Sequence, residues 1–458
     1  MSYLLDLVKS FNENELKQFG LLDLTGKEEL VRDAYARYAA DKKFDEAKLP
    51  AQLQLTQSHF DKINSVLLDK TISRLFGSDY RQILTAILLR GHGGLLLHEI
   101  KIIQRRIVKE KDKQRHANFY RAAFDTLIKM FHPSYNSKLV HEYGKKYLEA
   151  LGKTRTIQHE AYIALFAHYG DMIAEAMSGN EVRHKDHAWD VLEKWRKRLK
   201  DAGSPDANAY FYFVLGNYYK YYSDSAPLFL KANQDAFAAL QRSSAETKTL
   251  LLGRVLCEIG VGYMESNEFA QATVFYEKAF ALSDEQFKKP YFHYGNYFYV
   301  TLCNRQPQKA KQIFEKHLQG FLQSSTNRSL RFDMLQGKFV LSLHLKDYDT
   351  AFECLNEMRG YKKNEVTHFG NVLIRFSETL YYYLLKEYNV AAAMAKKNLK
   401  FLSLPENSTP QFAYHRQFID SIGKLIKRQE GKLRFPEKLQ QQIQGLQGGI
   451  FHIYNTLL

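Results

Sequence analysis

Residues that could bind a metal or perform catalysis are numerous in this sequence, but they form no recognised pattern. The chain has 16 histidines and three cysteines among its 458 residues. It contains no HExxH pair and no closely spaced Cys or His ligands, and the interval from His92 to His98 does not place both rings on one helix face. The sequence therefore predicts no metal site.

The glycine-rich segment GHGGLLLHE, residues 91 to 99, is the nearest approach to a phosphate-binding loop. It lacks the Gly-Lys-Ser/Thr ending of a P-loop and follows no strand pattern, so we expect a bend between helices. There is no Gly-x-Ser-x-Gly elbow, and the scattered Cys257, Cys303 and Cys354 are typical of small apolar core residues. We predict no cofactor and no catalytic residues. An enzyme whose site is assembled from distant residues stays an open alternative.

A run of basic residues spans 101 to 116, KIIQRRIVKEKDKQRH, in which seven Lys or Arg accompany two acidic residues. On one helix the isoleucines would face inward and the basic side chains would spread over the exposed side. Such a surface suits nucleic acid phosphates or an acidic protein, and an ordinary solvated helix face is the alternative. The predicted basic patch consists of Lys101, Arg105, Arg106, Lys109, Lys113 and Arg115.

The elements that carry these residues are predicted to be helices. The chain has 30 Tyr and 31 Phe against only 9 Pro and 25 Gly, which favours long, aromatic-packed helices over turn-rich β folds. The formal net charge is +15. We find no signal-peptide pattern, no apolar run long enough to span a membrane and no secreted type of cysteine framework. The sequence therefore predicts a cytoplasmic protein without membrane insertion.

Residues 1 to 76 are predicted to form a separate helical module. Asn12 followed by Glu15 is typical of a capped helix start, and residues 26 to 41 and 55 to 76 have helical periodicity. This segment has 11 basic and 12 acidic side chains, whereas DNA-reading domains are normally basic, so we favour a structural module. In the alternative, a helix-turn-helix domain, the residues facing a major groove would be Gln57, Ser58, His59, Lys62 and Ser65.

An internal repeat is clearest at residues 256 to 284, LCEIGVGYMESNEFAQATVFYEKAFALSD. Gly260 and Ala272 are small where two antiparallel helices would cross closely, and aromatic residues would fill the groove against the next hairpin. The unit resembles the tetratricopeptide repeat. The residues in register with that family's pattern are Ile259, Gly260, Tyr263, Phe269, Ala272, Tyr276 and Ala279.

Later segments repeat the small crossing residue. Ala310, Ala351 and Ala391 follow Ala272 at intervals of 38, 41 and 40 residues, longer than the 34 usual for the family. We therefore predict an all-α chain containing a right-handed α-solenoid of tetratricopeptide-like hairpins. The predicted divisions are the module at 1 to 76, a helical region with a basic helix at 77 to 204, the repeats at 205 to 405, and capping helices at 406 to 458.

The resemblance implies a function in binding rather than in chemistry. In that family the first helices of successive hairpins line the concave surface, which implies a scaffold for a protein or peptide partner. Cys257 and Val261 stand where the family's carboxylate clamp has Lys and Asn, so a mixed apolar and aromatic groove is expected. Inter-repeat core packing is the alternative role, and nucleic acid binding is the alternative function. The implied partner-facing residues are Arg254, Cys257, Val261, Met264, Phe292, Asn296 and Tyr299.

Overall fold

The computed structural model divides the chain into two compact units, residues 1 to 222 and 223 to 458. The division falls within the π-helical turn Tyr219–Ser223. The predicted boundaries at residues 76, 204 and 405 stay predictions. The structure describes residues 3–24, 26–38, 46–77, 79–89, 93–110, 112–129, 136–177, 185–223, 225–283, 287, 291–324, 328–361, 368–404, 413–429, 454 and 457.

The prediction of an all-α fold is confirmed, since no β-strand occurs in these described ranges. None of the helices they contain is long and apolar enough to cross a membrane. The helices of the first unit are α1 Tyr3–Lys9, α2 Glu13–Gly20, α3 Lys27–Tyr38, α4 Leu49–Gln52, α5 Gln57–Phe76, α6 Tyr80–Leu89, α7 Gly93–Ile107, α8 Lys113–Leu127, α9 Ser137–Leu151, α10 Ile157–Met177, α11 Lys185–Lys200 and α12 Pro205–Tyr218.

The second unit is a series of helices in which neighbours along the chain pack on each other. The pairs α14 with α15, α19 with α20 and α21 with α22 are in extensive contact, which gives a repeat-like arrangement. These helices are α13 Ala226–Gln241, α14 Ala245–Glu265, α15 Phe269–Phe280, α16 Tyr291–Cys303, α17 Pro307–Ile313, α18 Gln319–Ser324, α19 Arg328–His344, α20 Tyr348–Arg359, α21 His368–Leu384, α22 Tyr388–Leu402 and α23 Ala413–Gln429.

The amino-terminal helices follow the local signals in the sequence. The predicted capping box is present: the Asn12 side chain accepts a hydrogen bond from the Glu15 backbone, and the Glu15 carboxylate accepts one from the Asn12 backbone. The two longer predicted helices are α3 and α5, and Thr56 caps the start of α5. The short helix α1, which was not predicted, also packs on α5.

The repeat at residues 256 to 284 forms a helical hairpin in which small residues allow the two helices to pack closely. Helix α14 ends at Glu265 and α15 begins at Phe269, as predicted for a helical hairpin. Gly260 lies against the ring of Tyr276, which has no exposed surface; a Cβ atom at position 260 would come within 2.8 Å of Tyr276 Cε2. Ala272 is also fully buried. The two helices therefore approach closely because neither has a larger side chain at the crossing.

The four predicted hairpins share one turn geometry. Each turn contains a residue with positive φ, five positions before its crossing alanine, at Asn267, Arg305, Lys346 and Lys386. In every turn the next residue's backbone N–H donates to a carbonyl five positions earlier, as from Glu268 to Tyr263 at 2.8 Å. This is the Schellman pattern of a helix end. The crossing alanines 272, 310, 351 and 391 have no exposed surface, as expected of small residues between paired helices.

Aromatic side chains join one hairpin to the next. Tyr276 and Phe280 on α15 stack on Tyr297 of α16, with ring centroids 5.8 and 5.1 Å apart. Farther along, Phe352 of α20 stacks on Tyr381 of α21 at 5.8 Å. The predicted use of aromatic residues between hairpins is thus confirmed at these positions. Such contacts contribute beyond the apolar area that they bury.

We predict that Gly260→Ala destabilises the protein by about 1–3 kcal/mol, because the added methyl must displace the buried Tyr276 ring. Gly295→Ala, the matched control, meets no heavy atom within 4 Å and should stabilise α16 by about 0.5–1 kcal/mol. Urea unfolding measures both changes. Equal effects of the two substitutions would contradict the close crossing.

Candidate functional site

The strongest candidate site lies on the first helices of the later hairpins, α16, α19 and α21. Tyr299, Gln336 and Ser377 lie on these helices, 11, 15 and 14 positions before the crossing alanine of the same hairpin. Tyr299 is therefore about one helical turn from the position that corresponds to the other two. Gln336 Nε2 lies 3.3 Å from Ser377 Oγ. A Cβ atom on Gly337 would lie 3.4 Å from the Tyr299 hydroxyl. The three helices therefore present these residues to one shared surface, which we call the first-helix face.

Tyr454 is seated on this face. Its side chain is 2% exposed, and its hydroxyl accepts a hydrogen bond of 2.8 Å from Gln336 Nε2. The ring meets Phe376 edge-on, with centroids 4.6 Å apart, and lies 6.3 Å from the ring of Phe418. Burial, and next the neighbouring Tyr454, raises the pKa of Tyr299 above its ordinary value. The phenol of Tyr454 therefore lies between the Gln336 amide and the rings of Phe376 and Phe418.

The predicted partner-facing residues differ in accessibility. Cys257 has no exposed surface, and Val261 and Met264 are also buried, so these three could contact a partner only after a rearrangement. Arg254, Asn296 and Tyr299 are half-buried. The side chain of Phe292 lies outside the described residues. A partner-facing role stays a prediction for all seven positions, and a groove formed without rearrangement would use the half-buried members.

Sequence reasoning did not find Gln336, Phe376, Ser377 or Tyr454. The repeat interval was an available signal for part of this set, because Phe376 and Ser377 follow Gln336 by 40 and 41 residues. No comparable signal pointed to Tyr454, whose hydrogen-bond partner is 118 positions away.

The basic segment in the first unit is not one helix, so the predicted continuous helix over 101 to 116 is wrong. Helix α7 ends at Ile107 and α8 begins at Lys113. Asp112 causes the new start, since its carboxylate accepts hydrogen bonds from the backbone N–H groups of Gln114 and Arg115. The basic residues therefore lie at the end of one helix, on a turn and at the start of the next.

All six residues of the predicted basic patch are nevertheless exposed. Arg106 forms a 3.0 Å ion pair with Asp69, and Arg115 forms a 2.8 Å pair with Glu110. Within the described ranges no ion pair is formed by the other four, Lys101, Arg105, Lys109 and Lys113. The five residues proposed to face a DNA groove, at positions 57, 58, 59, 62 and 65 of α5, are also exposed. DNA reading by this helix stays a prediction.

Other groups with chemical potential are buried or dispersed. The three cysteines are buried and form no disulfide with one another. Burial raises the pKa of Cys354 to about 11, which keeps its thiol protonated at neutral pH. In the described ranges no three His, Cys, Asp or Glu side chains are grouped to hold a metal ion. An open hollow of about 360 Å³ borders the turn before α15, between residues 267 to 271 and Asn304.

Comparison with known proteins does not extend these observations. No protein-family model matches the sequence, and no curated protein is similar to it. The helix pairs, the first-helix face and the exposed basic segment are therefore the features of the molecule that bear on its function.

We predict that Glu99 makes the stability of the protein depend on pH. Its side chain on α7 is 3% exposed, and burial, together with the nearby Asp69, raises its pKa to about 7 despite the opposing effect of Arg106. A carboxyl group with a raised folded-state pKa stabilises the fold at low pH. That contribution is lost as the pH rises from about 4.5 to 7, because the buried group must then ionise.

Glu99→Gln removes this titration. The variant should exceed the wild type in free energy of unfolding by about 1–3 kcal/mol at pH 8, and the difference should shrink towards zero near pH 4.5. Chemical denaturation at the two pH values measures it. Glu29→Gln, on the exposed side of α3, is the control and should show no such change. A difference that is equal at both pH values would contradict the prediction.

Proposed function

We propose that the second unit is a tetratricopeptide-like, right-handed α-solenoid that acts as a non-catalytic scaffold. In this proposal the first helices of successive hairpins form a concave surface that binds a peptide or a helix of a protein partner. The observation that carries the proposal is the common register of four turns and four crossing alanines, at residues 267, 305, 346 and 386 and at 272, 310, 351 and 391.

Serial hairpins favour binding because each contacts mainly its neighbours and together they extend one surface. The first-helix face supports this use, since it juxtaposes side chains from three hairpins. The half-buried residues among those predicted to face a partner, Arg254, Asn296 and Tyr299, combine a cation, an amide and a phenol. That combination fits a peptide with mixed apolar and polar side chains better than a purely acidic tail.

The scaffold proposal predicts that the full chain selects peptides from a random peptide library through this surface. The selected peptides should bind Arg254→Glu and Tyr299→Ala at least tenfold more weakly than the wild type, because each substitution changes a group at the proposed surface. Fluorescence anisotropy measures the dissociation constants, and circular dichroism verifies folding. Lys397→Glu, an exposed charge reversal of equal size on the second helix α22, should leave binding unchanged. If both variants are folded and bind the peptides as tightly as the wild type does, the proposed binding surface is wrong.

The second candidate function is nucleic acid binding through the basic segment. The favouring observation is that its six cations are exposed and that four of them form no ion pair within the described ranges. Accessible cations of this kind bind phosphates by displacing counterions, which makes the affinity strongly dependent on salt.

We predict for this candidate that duplex DNA binds at low salt and that log K falls linearly with log salt concentration. The variant Lys101→Glu, Arg105→Glu, Lys109→Glu should lower the magnitude of that slope by about 2–3, roughly 0.9 for each lost phosphate contact. The control Lys396→Glu, Lys397→Glu, Lys400→Glu makes the same charge change on α22 and should keep the wild-type slope. An equal decrease of the slope in both variants would show that DNA binding depends on the net charge of the protein and not on the basic segment.

A further inference from the structure

Tyr454 occupies the surface to which we assign partner binding. We infer that Tyr454 is an intramolecular ligand of the first-helix face, and that a partner binds by inserting its own tyrosine there in place of Tyr454. This inference rests on the proposed scaffold function. It adds to that function both the chemical class of the ligand and a form of autoinhibition.

The pocket recognises both parts of a tyrosine side chain. Phe376 and Phe418, neither with exposed surface, contact the apolar ring. The Gln336 amide, 4% exposed, supplies the hydrogen bond to the hydroxyl and is itself held by Ser377. A phenylalanine could fill the same space but would leave an amide N–H of Gln336 without this partner.

Apart from Phe418 on α23, the pocket residues come from the first helices of successive hairpins. Gln336 comes from α19, Phe376 and Ser377 from α21, and Tyr299 on α16 is close enough for Tyr454 to affect its pKa. Tyr299 was predicted from the repeat pattern to face a partner. The position expected to hold a partner therefore already holds a residue of this chain.

The surrounding helices have packing of their own that does not involve Tyr454. Helix α19 packs on α20, α21 packs on α22 and α23 contacts both α21 and α22. Phe376 and Phe418 also contact each other, with ring centroids 5.0 Å apart. Withdrawal of Tyr454 would therefore leave a pocket between helices that remain paired, which is the condition for exchange with a partner's side chain.

The neutral lining selects an unmodified phenol. The hydroxyl accepts a hydrogen bond from the Gln336 amide, and that amide also donates to the Ser377 hydroxyl. A phosphate carries a charge of about −1.5 to −2, and its burial beside these neutral groups is strongly unfavourable. We therefore expect a tyrosine peptide to bind and its phosphorylated form to be rejected.

The test uses the full chain and a fluorescent peptide with the sequence of residues 449 to 458, GIFHIYNTLL. Tyr454→Ala should bind this peptide at least tenfold more tightly than the wild type, because its pocket is vacant. On that variant, a peptide with Phe in place of Tyr should bind several-fold more weakly, and peptides with Ala or phosphotyrosine should not bind measurably. The control Tyr3→Ala, in the first unit, should bind as weakly as the wild type.

A melting experiment covers the case in which Tyr454→Ala is poorly folded. The peptide should then raise the midpoint of thermal unfolding of Tyr454→Ala, and the phosphorylated peptide should not. If folded Tyr454→Ala binds no better than the wild type, or if the peptide restores neither folding nor the midpoint, Tyr454 is a fixed core residue and the inference is overturned. If library peptides still bind the wild type more tightly than Arg254→Glu, the scaffold function stands even though the inference about Tyr454 has failed.

Discussion

The close crossing of paired helices is the constraint on which the second unit depends. Gly260 brings the backbone of α14 against the ring of Tyr276, and Ala272 leaves the facing surface of α15 free of bulk. Because protein interiors are densely packed, a larger residue at such a crossing must separate the helices or move a buried ring. The later crossing alanines are likewise fully buried. The turn preceding each of them, with one residue in the left-handed region, fixes where the second helix begins.

The close crossing within each pair also determines how the first helices of successive hairpins lie beside one another. When the crossings and turns recur at nearly equal intervals, equivalent residues of successive first helices fall beside one another. Gln336 and Ser377 are 41 positions apart in the chain and yet within hydrogen-bonding distance. A site formed in this way belongs to no single hairpin, since α16, α19 and α21 each contribute part of it. The spacing of the small residues thus determines which polar side chains can act together.

The sequence predicted the features that follow from local rules. The cap at Asn12 and the crossing alanines each have a short-range signal in residue type and spacing. The turn residues Asn267, Arg305, Lys346 and Lys386 are one asparagine, one arginine and two lysines, so residue type alone did not indicate their shared conformation. The basic segment is divided because Asp112, inside the charge run, caps the start of a new helix, a local signal that competes with helical continuity. The full burial of Cys257 agrees with the core role expected of the scattered cysteines, whereas its position in the repeat pattern did not decide between that role and a partner-facing one.

Tyr454 shows why the remaining part of the site required the structure. Its contact with Gln336 links residues 118 positions apart, and nothing in the intervening sequence specifies that pairing. The chemistry of the pocket nevertheless limits what can occupy it. A buried amide donor costs free energy if it has no acceptor, on the order of 1–3 kcal/mol, so an apolar occupant of the same shape is disfavoured. Ser377 already engages part of the Gln336 amide, and the remaining N–H needs an oxygen at the end of a flat ring. The pocket therefore discriminates through the hydroxyl, while the burial of the ring supplies most of the attraction.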